Sequence, residues 1–274
     1  MQGIKHFIPT DLKVDYLNTL LEVGFSVLDC GSFVSAKAIP QMQDTAEVIS
    51  QLNRSATELL VIVANSRGAE DAVKFDRIKY LGFPLSISET FQQRNTNKSI
   101  EEAFNSLSQI QQIAEAANKQ VVCYISMGFG NPYNDPYSPA LVKDFTKKIE
   151  ALGINIVSIA DTIGSADVGA IQEIYEITAS AFTNLEIGVH LHSRLADVEE
   201  KTKAAVRAGC TRIDGALLGF GGCPMAKDDL VGNMATELAV KALEEEGFHL
   251  NIKRDKLNLA LQKAEALFSK YKGA

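Results

Sequence analysis

The sequence has no apolar run near the roughly 18 residues that a membrane span requires, and its first residues show no basic-then-apolar signal. It also has no excess of basic charge, since 34 acidic and 27 basic residues give a formal net charge of −7. A general nucleic-acid binder needs a basic face for phosphates, whereas an anionic small molecule needs only a few local cations. We therefore expect neither a membrane nor a nucleic acid as a partner.

Cysteine is also scarce. The four cysteines are Cys30, Cys123, Cys210 and Cys223, and their wide spacing resembles neither a zinc motif nor a dense disulfide framework. Reduced thiols in a cytosol-like compartment are the better interpretation, so we expect a cytoplasmic protein.

Short apolar runs rich in Val and Ile alternate with amphipathic stretches from one end of the chain to the other. This alternation predicts buried parallel strands joined by right-handed helical crossovers. No linker divides the chain, and no dinucleotide-type glycine fingerprint follows the early strands. We predict an α/β fold, a TIM (β/α)8-type barrel, as a single domain over residues 1–274. The predicted strands are residues 25–33, 58–65, 78–89, 120–128, 155–162, 185–193 and 212–221.

Capping residues indicate where several helices begin. Thr10 is the predicted N-cap of a helix over residues 11–22, and Ser99 with Glu102 forms a capping-box pattern. Pro139 occupies a first helical position after Ser138. Further helices are expected near residues 168–182, 197–208, 234–246 and, as the C-terminal helix, about 254–271.

Seven strands are one fewer than a closed barrel of this type needs. The chain opens on a loop and a helix rather than a strand, so we expect the first strand to be missing upstream of Met1. An open barrel edge exposes unpaired strand groups. We therefore expect a homo-oligomer (dimer or tetramer), a filler segment, or disorder near residues 1–10.

Catalytic residues of such barrels lie where strands run into the following loops. His190 and His192 end the sixth predicted strand, and side chains two apart on a strand point to the same face. Two imidazoles on one inward face can bind a divalent cation together. On the spacing alone, a hydrogen-bonded polar pair without metal is the better interpretation. Because two of only four histidines lie at this strand end, metal binding becomes an equally good one.

Cys223 follows three glycines in the four positions 219–222, a composition that suits a mobile loop closing over a ligand. Its thiol could donate or accept a proton, although an exposed loop cysteine without a role is the simpler interpretation. Asn233 could supply a hard oxygen ligand, which suits Mg²⁺ or Mn²⁺, or it could only cap a helix.

Asp29 and Asp161 each end a predicted strand and are candidates for a general base or for orienting a ligand. Either carboxylate could equally cap the turn that follows it. Asn95 lies in a predicted polar loop, where a turn asparagine is the alternative.

Several segments resemble 3-hydroxy-3-methylglutaryl-CoA lyases. They include Gly31-Ser32-Phe33-Val34-Ser35, Asn95-Thr96-Asn97, Asp161-Thr162-Ile163-Gly164, Gly219-Phe220-Gly221-Gly222-Cys223-Pro224 and Gly232-Asn233-Met234-Ala235-Thr236-Glu237. The similarity runs in order over nearly the whole chain, from Gln2 to about Gly247.

The resemblance implies a metal-dependent retro-Claisen cleavage of 3-hydroxy-3-methylglutaryl-CoA to acetyl-CoA and acetoacetate, a step of leucine degradation. It implies a divalent cation, Mg²⁺ or Mn²⁺, on His190, His192 and Asn233, with Cys223 as the catalytic thiol. Asp29 matches a family glutamate, a longer acid. By the same resemblance, Asp161 and Asn95 line the site of the acyl-CoA substrate. Another acyl-CoA lyase, an aldolase or a Claisen-type synthase of the same superfamily stays open as an alternative.

Two departures from the family pattern matter. The family's first strand ends in an Arg-Asp motif, in which the aspartate binds metal and the arginine stabilises the enolate, and nothing in this chain matches it. The residue after the paired histidines is often aspartate in the family and is Ser193 here. We therefore expect the chain as printed to be inactive or severely impaired, or to be a non-catalytic protein.

Overall fold

A computed structural model describes Met1, Ile4, residues 6–221 and residues 231–271. Within these ranges, no helix is both long and apolar enough to cross a membrane. Seven strands alternate with helices along the described chain. The strands are β1 (Val27–Ser32), β2 (Glu58–Ile62), β3 (Ile78–Ser86), β4 (Gln120–Ser126), β5 (Ile156–Asp161), β6 (Glu186–Leu191) and β7 (Ile213–Asp214).

Ten α-helices lie before, between and after these strands in the described chain. They are α1 (Thr10–Val23), α2 (Thr45–Gln51), α3 (Ser66–Ala72), α4 (Glu89–Thr96), α5 (Ile100–Ala116), α6 (Pro139–Ala151), α7 (Val168–Ala181), α8 (Val198–Arg207), α9 (Thr236–Glu245) and α10 (Arg254–Tyr271). Short 3₁₀ turns precede α2, α8 and α9.

The seven strands form one sheet in the order β1 to β7, and every neighbouring pair is parallel. The sheet curls with helices on its outer side, as in a TIM barrel that is short of one strand. In the described chain β1 and β7 each pair with only one strand, so the unfilled position lies between them. The predicted fold class is confirmed.

Side chains alternate between the two faces of this sheet. Val121, Cys123 and Ile125 of β4 belong to the large core between sheet and helices. Val122 and Tyr124 of the same strand belong to a small separate cluster with Leu60 and Ile156. That second cluster marks the inner face of the curled sheet.

The same alternation decides which polar side chains point inward. In β6 the odd-numbered Ile187, Val189 and Leu191 belong to the outer core, so His190 lies on the inner face. By the same rule Asp214 of β7 lies inward, because its neighbour Ile213 packs against the outer core.

Several local predictions are confirmed. The Ser99 side chain accepts from the Glu102 amide, and the Glu102 carboxylate accepts from the Ser99 amide, which completes the capping box. Pro139 is in the first turn of α6, and Ser138 caps that helix. The C-terminal helix α10 has the predicted bounds.

Other local predictions are wrong. Thr10 is the first helical residue of α1 rather than its cap, because its hydroxyl donates to Asp44 instead, at 2.8 Å. The strand predicted over residues 212–221 contains only Ile213–Asp214 and gives way to a 3₁₀ turn at Leu217–Gly219. Helices α2, α3 and α4 were not predicted, since each has seven or eight residues and little apolar periodicity.

Candidate active site

The structure brings His190 and His192 together at the carboxyl end of β6. His190 belongs to the strand, and His192 follows it in an isolated bridge. The centroids of the two imidazole rings are 5.6 Å apart. The Tyr124 ring meets His190 edge-on at 5.6 Å, which limits the tilt of that imidazole. The predicted common face of the two histidines is therefore present.

The two imidazoles differ in their surroundings. The side chain of His190 is 32% exposed, whereas His192 is buried. Burial lowers the pKa of His192 to about 4, with the neighbouring His190 adding to the effect and a hydrogen bond to the Val231 backbone opposing it. His192 is thus neutral near pH 7, the form in which an imidazole has a lone pair for a cation.

Asp214, at the end of β7, lies beside the histidine pair. Its Oδ2 is 3.5 Å from Nδ1 of His190 and accepts a hydrogen bond from the Ser158 hydroxyl at 3.2 Å. Nδ1 of His190 is buried and has no hydrogen-bond partner of normal length. A small approach would let Nδ1–H donate to Asp214 and would leave Nε2 of His190 for a ligand.

Asp29 lies within β1 rather than at its end, so the predicted strand end is wrong there. A register shift between Asp29 and Gly31 interrupts the pairing with β2, and the Gly31 amide approaches Oδ1 of Asp29 at 3.4 Å. Desolvation by the neighbouring protein atoms raises the pKa of Asp29 to about 6; the Gly31 amide opposes this rise and the charge of Asp214 reinforces it. The side chain is nonetheless exposed, and solvent screening limits this rise.

Asn233 lies in a short segment, residues 231–235, that crosses the end of β6. Its backbone forms an antiparallel bridge with His192, and the Gly232 carbonyl accepts from the Ser193 amide at 2.9 Å. The side-chain Nδ2 of Asn233 donates to the Phe220 carbonyl at 3.0 Å, which leaves Oδ1 for another contact. Helix α9 is capped at Ala235, so the alternative interpretation of Asn233 as an N-cap is wrong.

Asp161 ends β5 as predicted, but its carboxylate faces the helices. Oδ1 accepts from the Ser165 amide at 2.9 Å, and Oδ2 accepts from the Ala166 amide at 3.0 Å. The Lys201 ammonium lies 3.4 Å from Oδ2. Burial raises the pKa of Asp161, with Lys201 and the two amides opposing that rise. These contacts hold the loop after β5, and a role in lining the substrate site stays a prediction.

Two further predicted site residues lie apart from these contacts. Asn95 is in the last turn of α4 and partly exposed, so the predicted loop position is wrong; its role toward substrate stays a prediction. Cys223 lies outside the described residues, as does Gly222 immediately before it.

The donor set fits a divalent cation. Nε2 of His190, a neutral His192 and the Asn233 amide oxygen combine nitrogen and hard oxygen donors, which suits Mn²⁺ or Mg²⁺. The described ranges contain no cluster of three His, Cys, Asp or Glu side chains able to hold a metal ion. A site here therefore needs the Asn233 amide as its third protein ligand, with positions left for substrate or solvent.

Sequence reasoning missed Asp214 and Lys201. Asp214 was missed because the seventh strand was predicted to continue past it to residue 221. A strand end predicted at Gly215 would have identified Asp214 as an acid at the end of a strand. Lys201 lies on the buried face of α8 beside Val198 and Thr202. A lysine on the apolar stripe of an amphipathic helix was the available signal.

The fold and the site together define a class of protein. Parallel strands with helices outside them present a histidine pair, an amide and the Asp214 carboxylate near the carboxyl ends of the strands, where TIM-barrel enzymes carry their active sites. The chain is therefore a member of the TIM-barrel class with a candidate metal centre.

The family follows from comparison with known proteins. The HMGL-like family model matches residues 1–263, and the chain belongs to that family. It is 33% identical over 258 residues to the mitochondrial hydroxymethylglutaryl-CoA lyase of Homo sapiens, covering 94% of this chain and 79% of the relative. It is 31% identical to the cytoplasmic 3-hydroxy-3-methylglutaryl-CoA lyase of Rattus norvegicus, covering 92% and 73%.

This chain is also similar to a lyase of known structure. The HMG-CoA lyase of Acinetobacter baumannii, in complex with coenzyme A and 3-methylmalate, superposes with a TM-score of 0.91 at 30% identity. The match covers 98% of this chain and 87% of that one. The barrel architecture is thus shared with lyases over nearly the full length of the chain.

Proposed function

We propose that this protein cleaves 3-hydroxy-3-methylglutaryl-CoA to acetyl-CoA and acetoacetate in a divalent-metal-dependent carbon–carbon lyase reaction. The observation that carries the proposal is the meeting of His190, His192 and the Asn233 segment at one barrel mouth, in a chain of the HMGL-like family. An acyl-CoA substrate is supported by the names of the relatives and by the coenzyme A complex of the Acinetobacter enzyme.

His190, His192 and Asn233 would hold the cation, which when bound lowers the pKa of a substrate hydroxyl and offsets developing negative charge. Neutral His192 binds without first losing a proton, because its pKa is about 4. Asp214 would orient His190 from behind, through Nδ1.

Asp29 is our candidate to receive the tertiary hydroxyl proton as the carbon–carbon bond breaks. Its pKa is raised, to an extent that solvent limits, and so lies nearer to neutrality than that of an ordinary aspartate, which favours proton transfer in both directions. Aspartate is one methylene shorter than the family glutamate, so the substrate must approach β1 more closely.

Cys223 is our candidate to protonate the departing acetyl-CoA enolate at carbon. That step requires the loop after residue 221 to bring the thiol to the substrate and to exclude water. A Claisen-type synthase would not need this thiol, so identification of the products separates the two reactions. Asn95 and Asp161 are proposed to position the acyl-CoA only through their match to the family pattern.

The test is product release by the purified protein. With Mg²⁺ or Mn²⁺ we expect acetoacetate and acetyl-CoA in equal amounts, and a chelator should abolish their release. Cys223→Ala should lower turnover at least about 100-fold without unfolding the protein, whereas Cys210→Ser, at a buried thiol outside the site, should retain it. Absence of acetoacetate at every metal concentration would refute the proposal.

We expect this chain to turn over substrate far more slowly than a relative that carries the Arg-Asp motif, because no residue of this sequence matches that motif. Turnover equal to that of such a relative would contradict this expectation. A homo-oligomer and a cytosolic location are also proposed. The buried, unpaired thiols of Cys30, Cys123 and Cys210 support a reducing compartment.

A further inference from the structure

One buried ammonium group has no part in the proposed reaction. Lys201 of α8 is 5% exposed, and its Nζ lies within hydrogen-bond distance of three oxygens. These are the His192 carbonyl at 3.0 Å, the Gly164 carbonyl at 3.2 Å and Oδ2 of Asp161 at 3.4 Å. An ammonium has three donors, so Lys201 uses all of them inside the protein.

The three acceptors belong to two neighbouring strand ends. Asp161 and Gly164 lie where β5 enters its loop, and His192 lies just beyond β6. Lys201 therefore fixes the loop after β5 relative to the backbone of a candidate metal ligand. Few other side chains could do this, since the group must donate in three directions from a buried helix face.

The segment that carries Asn233 rests on this same arrangement. Gly164 has φ of +73°, and a Cβ there would lie 2.8 Å from the Val231 side chain, so Val231 packs directly on the Gly164 backbone. The His192 backbone pairs with Asn233 of the same segment in an antiparallel bridge. His192 and Val231 are thus both placed by contacts that lead back to Lys201.

We propose that Lys201 is a positioning residue for the metal ligands: it sets the distance between His192 and Asn233 by holding Gly164 and the His192 carbonyl together. This inference rests on the proposed metal site. A buried ion pair is weak evidence for stability alone, because desolvation offsets much of the Coulombic attraction. The carbonyl contacts, rather than the pair with Asp161, carry the proposal.

The test compares the Mn²⁺ affinity of the purified Lys201→Met variant with that of the unmodified protein. Electron paramagnetic resonance titration measures both affinities. The matched control is Lys13→Met. Lys13 is 2% exposed and binds the Asp44 carboxylate at 2.6 Å and the Gln41 carbonyl, but it contacts neither His192 nor residues 231–235. Both variants lose one buried cation, so a general loss of stability affects both.

We expect Lys201→Met to bind Mn²⁺ about 10- to 100-fold more weakly than the unmodified protein and Lys13→Met to bind it equally well. Equal affinity in Lys201→Met and the unmodified protein would overturn the proposal, as would an equal loss in the two variants. If Lys201→Met does not fold, the double variant Lys201→Met/Asp161→Asn removes the unpaired carboxylate and is titrated in its place.

Amide hydrogen exchange without metal separates this inference from the proposed function. The Ser193 amide donates to Gly232, and the Met234 amide donates to Leu191 at 3.1 Å. Faster exchange of these two amides in Lys201→Met, but not in Lys13→Met, supports the positioning role even if the protein binds no Mn²⁺. Unchanged exchange of these amides in both variants contradicts the positioning role, whether or not the protein binds Mn²⁺.

Discussion

At the scale of single residues, the two histidines of one strand end have different surroundings. His190 is open to the barrel mouth and has a carboxylate behind it, whereas His192 is buried and its backbone pairs with the segment that crosses above it. Their spacing in the sequence predicted the common face but not this difference. Burial depends on residues 231–235, which are about 40 positions away in the chain and are not predictable from local pattern.

The lowered pKa of His192 predicts how stability depends on pH. The unfolded chain takes up this proton near pH 6.5 and the folded protein only near pH 4, so the free energy of unfolding falls as pH drops between these values. Over that range, His192 lowers the free energy of unfolding by at most about 3 kcal/mol. Urea denaturation between pH 4 and pH 8 measures this free energy.

In His192→Gln we expect the fall in unfolding free energy between pH 6.5 and pH 4 to shrink by that amount. His249→Gln, which changes an exposed histidine after α9, should keep the slope of the unmodified protein. Identical slopes in all three proteins would mean that His192 is not held neutral by the fold.

Asp214 gives a second prediction at this scale. Asp214→Asn removes the charge behind Nδ1 of His190 and should weaken Mn²⁺ binding about 10- to 100-fold, because groups behind a ligating imidazole fix its tautomer and orientation. Isothermal titration with Mn²⁺ measures the change. Glu186→Gln, at the opposite end of β6, is the control and should bind normally. If Asp214→Asn binds Mn²⁺ as tightly as the unmodified protein, Asp214 does not orient His190 for metal binding.

At the scale of secondary-structure elements, prediction succeeded where the signal is local. The Ser99–Glu102 capping box and the Ser138-Pro139 helix start depend on residues within one turn, and both are present. The prediction of strand ends failed where tertiary contacts determine them. Strand β7 ends at Asp214 because the chain then turns to pair Ala216 with Ala235. No periodicity within residues 212–221 encodes that pairing.

The contact between the loop after β5 and the Asn233 segment gives an element-scale prediction. Gly164→Ala places a methyl group 2.8 Å from the Val231 side chain at a φ of +73°. We expect a loss of about 2–5 kcal/mol in unfolding free energy, combining left-handed strain with overpacking, and weaker Mn²⁺ binding.

Gly247→Ala is the matched control, since Gly247 has φ of +88° but nothing within 4 Å of a new Cβ. It should lose only about 1–2 kcal/mol from backbone strain and should bind Mn²⁺ normally. Thermal melts and Mn²⁺ titration of both variants decide the matter. Equal effects of the two substitutions would show that the Gly164–Val231 contact does not position the site.

At the scale of the whole molecule, strand–helix alternation predicted both the parallel barrel and its count of seven strands. Each strand pairs with its sequence neighbours, as right-handed crossovers require, so topology followed directly from the order of elements. The convergence of β5, β6, β7 and residues 231–235 on one mouth follows from that topology. The side-chain partners at the mouth do not, because they depend on packing between segments far apart in sequence.

The central claim is that this mouth binds one divalent cation through His190, His192 and Asn233. Anomalous diffraction from crystals of the protein grown with Mn²⁺ tests it most directly. The account predicts a single strong peak at about 2.0–2.2 Å from one nitrogen of each histidine and from the Asn233 amide oxygen. A saturated crystal with no peak between these three side chains, or with its peak elsewhere in the barrel, would contradict the account.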